Sequence, residues 1–133
     1  MKNPLKAERE KALQELLEEM QKYGVEIHSD EEAQVYLDFA AKRRGLSAED
    51  IHAVAIGDDI LIRKEYAENV RVLREEWIHI QQQRHGLASN RIVEAEIKAR
   101  EMMIHNRRKW AITNEELREM IREIRQMRER GRY

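Results

Sequence analysis

Only one stretch of this chain reads convincingly as β-structure, and it limits what the rest can be. His52-Ala53-Val54-Ala55-Ile56 and Ile60-Leu61-Ile62-Arg63 are short apolar runs separated by Gly57-Asp58-Asp59. Glycine with aspartates between two such runs predicts a hairpin. A two-stranded hairpin alone is marginal in water, so a third strand is needed. Val25-Glu26-Ile27 alternates and is the candidate. The remainder carries helical periodicity. The expected fold class is therefore α+β, a mostly helical domain with a small two- or three-stranded sheet.

The helical segments can be bounded by their punctuation. Asn3-Pro4 predicts a capped start, with a stripe of Leu5, Ala12, Leu13, Leu16, Leu17 and Met20, and Gly24 as the stop. That stripe is thin and flanked by Glu and Lys. Residues 1–24 are accordingly set apart as an N-terminal helix with a linker's composition, and residues 25–133 as the domain proper. Ser29 or Asp30 caps a second helix that closes at Gly45, and Ser47 caps a short turn. A central helix runs from roughly Ala67 to Arg84. After a loop at 87–90, capped at Ser89 or Asn90, another helix spans Arg91 to about Trp110. Thr113 with Glu116 forms a capping box for the last, striped by Leu117, Met120, Ile121, Ile124 and Met127.

Composition excludes several function classes. At 133 residues one domain is expected. A formal charge of −1 gives no global pull toward nucleic acid or an acidic membrane. The absence of cysteine removes disulfides, thiolate chemistry and cysteine-bound zinc. No apolar run reaches the length of a membrane span, and the charged N-terminus lacks a signal peptide's apolar core. An exported form is expected to travel on something larger or through a route the sequence does not show.

The chemistry concentrates on the central helix. Val72, Leu73, Trp77 and Ile80 make its inward stripe. Glu75 and His79 stand four apart on one side, with Cβ atoms roughly 5–6 Å apart. Glu76 falls at the border of the apolar stripe. The next helix offers Glu94 and Glu96. Glu96 shares a face with Ile92, Ala99 and Met103, where a carboxylate is costly unless paired or bound; Glu94 lies on a polar face and reads as a solvated charge. Glu75, His79 and Glu96 are thus the candidate metal ligands, for zinc or another divalent transition metal. Glu76 is the candidate catalytic base that takes a proton from a metal-bound water. Glu76 with His79 is an alternative pair at i,i+3, the spacing of di-iron bundles, but Glu101 and His105 do not complete that set. Gln83, four beyond His79, is a candidate outer partner.

The stretch Val72-Leu73-Arg74-Glu75-Glu76-Trp77-Ile78-His79 resembles the H-E-x-x-H helix of zinc metallopeptidases, with glutamate at the first ligand position. Ala95-Glu96-Ile97-Lys98-Ala99 is similar to the segment through which glutamate zincins supply a third ligand. The preceding hairpin resembles the zincin arrangement in which a sheet edge strand leads into the active-site helix and helps hold substrate. Residues 54 to 130 resemble zincin-like metallopeptidase toxin domains at the C-termini of bacterial polymorphic toxins. The resemblance implies a metal-dependent peptidase acting on a protein or peptide substrate, an immunity protein as partner, and delivery into a target-cell cytoplasm.

Two other readings compete, the first on the same residues and the second on a different patch. In a non-catalytic helical interaction module, Glu75 is solvated, Glu76 pairs with an arginine, and His79 is hydrogen-bonded at the core edge. In a nucleic-acid-targeting toxin, the basic cluster Asn106-Arg107-Arg108-Lys109-Trp110 grips phosphates and stacks a base. At a helix end that cluster also reads as a dipole partner with Trp110 packed inward. His28, His52 and His85 read as solvated side chains near element ends.

Overall fold

A computed structural model describes residues 2–86 and 92–131. The elements run α1 (Lys6–Lys22), β1 (Glu26–His28), α2 (Glu31–Arg43), β2 (Ala53–Ile56), β3 (Asp59–Ile62), α3 (Val70–Arg84), α4 (Ile92–His105) and α5 (Asn114–Arg130), with 3-10 turns at Ala48–Asp50 and Lys64–Tyr66. The fold is α+β. The sheet order is β1-β3-β2: β2 and β3 form the antiparallel hairpin, and β1 joins β3 in parallel with Ile27 opposite Ile60. The third strand therefore lies where the alternating Val25-Glu26-Ile27 run suggests, one residue later.

Alternation along β3 sorts the layers. Ile60 and Ile62 face a core shared with Leu16 and Met20 of α1 and Leu73, Trp77 and Ile80 of α3. Leu61 faces the other way, with Val54, toward Leu37 and Ala41 of α2. A further cluster joins Ile78 of α3 to Ala99 and Met103 of α4 and Met120 of α5. The helix α3 thus lies between the sheet and the α4–α5 pair and is buried on almost every side.

Element ends differ from expectation where a polar side chain reaches the backbone first. Asn69 Oδ1 accepts from Val72 N at 3.1 Å, so α3 begins at Val70 rather than near Ala67. Asn3 does not cap α1. Its Oδ1 accepts from Asn114 N at 2.7 Å, while Glu8 reaches back to Leu5 N at 3.0 Å. The fourth helix stops at His105, short of Trp110. Asn106 donates its amide to Met102 O at 2.8 Å, and the chain turns to Ala111, which takes a left-handed φ of 54°. Ile121 of the expected α5 stripe is exposed, because α5 buries only the narrow seam of Met120, Ile124 and Met127. The expected caps Ser89 and Asn90 and the start at Arg91 lie outside the described residues. No described helix is long and apolar enough to cross a membrane.

Candidate metal centre

Helix periodicity brings Glu75, Glu76 and His79 onto the part of α3 that faces β2 and α4. There they line a cavity of about 610 Å³, bordered by Ala53, Val54 and Ala55 of β2 and by Ala95, Glu96 and Arg100 of α4. The free edge beside the cavity belongs to β2. The strand that leads into α3 is the central strand β3, so the expected order of edge strand and helix is not the one observed.

Glu75, His79 and Glu96 each offer one ligand atom, all within 4.8 Å of one another. His79 Nε2 lies 3.2 Å from Glu96 Oε1. The imidazole's other nitrogen, Nδ1, lies 2.9 Å from Gln82 Oε1, and Gln82 in turn donates to Ala95 O at 3.0 Å. Gln82, not Gln83, is thus the outer partner of His79: three residues on, it bridges α3 to α4. With Nδ1–H donated to Gln82, Nε2 faces Glu96, to which it donates when the ring is charged and beside which its lone pair would be free for a metal when the ring is neutral.

A buried cation anchors the carboxylates. Arg100, 3% exposed, places Nη1 2.6 Å from Glu96 Oε2 and 3.3 Å from Glu75 Oε1, and its Nε donates to Glu123 Oε1 at 3.2 Å. Glu123, on α5, also accepts from Arg71 Nη2 at 3.2 Å. The contact with Glu75 is an ion pair by distance but not a hydrogen bond by geometry: Glu75 Oε1 is buried without a hydrogen-bond partner. An orphaned buried carboxylate oxygen is expensive, and it is the atom that a metal would take.

Glu76 is 7% exposed, with no hydrogen bond or ion pair among the described residues. Burial, helped by the charge of Glu75, pushes its carboxyl up to about 8. Burial works against a charged His79, but the hydrogen bond and charge of Glu96, with Glu76 and Gln82 behind them, outweigh it and push the imidazole up to about 9. Burial opposes ionisation of Glu96 too, yet His79 and Arg100 hold that carboxyl below its ordinary value. The donor set of one imidazole and two carboxylates, with Nε2 oriented and Glu75 Oε1 unsatisfied, fits a divalent metal.

The remaining candidates are placed elsewhere. Glu94 pairs with Lys98 at 3.0 Å on the surface of α4. His28 is the last residue of β1, and its hydrogen bond with Asp59 at 2.9 Å raises its pKa. With Glu26 these two also bring one ligand atom each within 4.8 Å, on an exposed sheet edge. His52 stacks on Tyr66 at 4.1 Å, and His85 caps the end of α3. Trp110 carries the Arg74 guanidinium 4.2 Å from its ring centroid, so one face is already covered. Arg100 could have been found from its sign and its place four residues after Glu96. Glu123 and Arg71 carry no such local signal, because their pairing is between helices. No protein family, no curated protein and no solved structure matches the chain.

Proposed function

We propose that this chain is a metal-dependent peptidase domain of zincin-like type, an effector or toxin that acts on a protein or peptide. The observation that carries the reading is the convergence of Glu75, His79 and Glu96 from two helices at a cavity also lined by the buried Glu76. A divalent metal held by those three would polarise a substrate carbonyl and lower the pKa of bound water. Glu76 is a buried carboxyl with no direct ion pair among the described residues, and a nearby cation would draw its pKa down from about 8 into the range of a general base at neutral pH. Arg100 and Gln82 orient Glu96 and His79. The cavity beside the free edge of β2 has room for an extended peptide.

One observation favours the interaction module instead: Arg100 already supplies positive charge to Glu75 and Glu96, closing the network without a metal. Peptide-library cleavage with added zinc separates the two. The peptidase reading expects cleavage that chelation stops and that Glu76→Gln reduces by at least about 10²-fold. Cleavage that survives Glu76→Gln sinks the assignment of the base. Absence of any metal-dependent cleavage favours the module.

A further inference from the structure

The outer face of α2 carries apolar side chains that the domain's own core does not use. Ala33, Leu37 and Ala41 point into the sheet. On the opposite side Val35 and Phe39 are 66% and 54% exposed, and Tyr36 beside them is also exposed. The aromatic pair is already organised: the two ring centroids are 6.4 Å apart, and the Arg43 guanidinium lies 5.8 Å from the Phe39 ring. Such a face costs little side-chain entropy to bury. Charge brackets it. Glu31 and Glu32 occupy the first turn, and Lys42 and Arg43 the last. Glu32 and Lys42 make no side-chain hydrogen bond or ion pair among the described residues.

We propose that this face pairs with the same face of a second copy of this chain, antiparallel about a two-fold axis level with Leu37. An axis there sets Val35 against the second copy's Phe39. It also sets Glu32 against the other Lys42, while Glu31 stays with Lys64 of its own chain. Each contact occurs twice, as an isologous interface requires. The self-complementarity selects the occupant: a surface of mixed sign, acidic at one end and basic at the other, meets its opposite only when the second helix runs the other way. A single helix pair buries less than a standard interface, so the dimer is weak and reversible. It does not depend on the peptidase reading.

Sedimentation equilibrium of the full chain up to about 1 mM tests it. The expected result is a mass that climbs from the 16.0 kDa of one chain toward twice that. Phe39→Glu should abolish the climb. Glu32→Lys should weaken association at least about tenfold, and Glu32→Lys with Lys42→Glu should restore it to within about threefold, since both pairs are remade with signs exchanged. These side chains are exposed, so circular dichroism should show every variant folded. A mass that stays at that of one chain overturns the proposal and leaves the face to a different protein. A dimer indifferent to Phe39→Glu, or a double reversal that does not recover, overturns it too.

Discussion

At the scale of single residues the structure ties stability to pH through two side chains of one cavity. Glu76 ionises at about 8 when folded against an ordinary value of 4.5. Its burial is therefore free of penalty below pH 4.5 and increasingly costly as the pH rises toward 8. Glu76→Gln removes that cost, so the metal-free variant should gain on wild type by up to a few kcal/mol across this window. His79 has the same sense: its raised pKa contributes stability that is complete below pH 6.5 and fades as the pH rises through about 9. His79→Ala should cost most at pH 6 and least above pH 9. Urea unfolding at several pH values, with metal chelated, checks both. A Glu76→Gln advantage that does not grow with pH would contradict a carboxyl whose ionisation burial opposes. That Glu75, Glu76 and His79 share one side of α3 was legible in the sequence, because helical spacing converts directly into a shared face, and Glu96 stood out as a carboxylate on an apolar face of α4. Arg100 carried a local signal, four residues after Glu96, and Gln82 another, three after His79, but Glu123 and Arg71 carried none. Their roles depend on how α4 and α5 lie against α3, which no local spacing encodes.

Among the elements, α1 and α5 show how polar contacts hold a helical layer. Glu116 accepts from Thr113 N at 2.9 Å and also from Arg9 Nη1 of α1 at 2.7 Å, while Thr113 Oγ1 accepts from Glu116 N at 3.1 Å. Thr113→Ala should cost about 1 kcal/mol as a lost cap. Glu116→Ala should cost more, since it also takes the carboxylate from the half-buried Arg9 guanidinium and leaves it Ala111 O alone. Chemical denaturation of the two variants ranks them, and equal losses would show that the Arg9 contact carries nothing. Leu16 is fully buried against α3, and Leu16→Ala should cost about 2–5 kcal/mol. The hairpin, the capping box and five helices could be read from punctuation and period. The start of α3 and the end of α4 could not. Asn69 and Asn106 hydrogen-bond the backbone there, and a pattern of apolar residues does not register such competition.

For the molecule as a whole, the candidate centre sits where the layers meet. Two candidate ligands come from α3, the third candidate from α4, the anchoring Glu123 from α5, and the cavity wall from β2. A ligand that binds only the folded chain adds stability, about 2.7 kcal/mol at a concentration one hundred times its dissociation constant. Zinc should therefore raise the unfolding midpoint of wild type and leave that of Glu75→Ala, His79→Ala nearly unmoved. The exposed trio of Glu26, His28 and Asp59 supplies the control, because His28→Ala leaves the cavity intact. The most direct measurement is the metal content, by elemental mass spectrometry, of zinc-loaded and desalted protein in these three forms. The account predicts about one zinc per chain in wild type and in His28→Ala, and none in Glu75→Ala, His79→Ala. No retained metal in wild type, or metal lost with His28 and kept without Glu75 and His79, would contradict it.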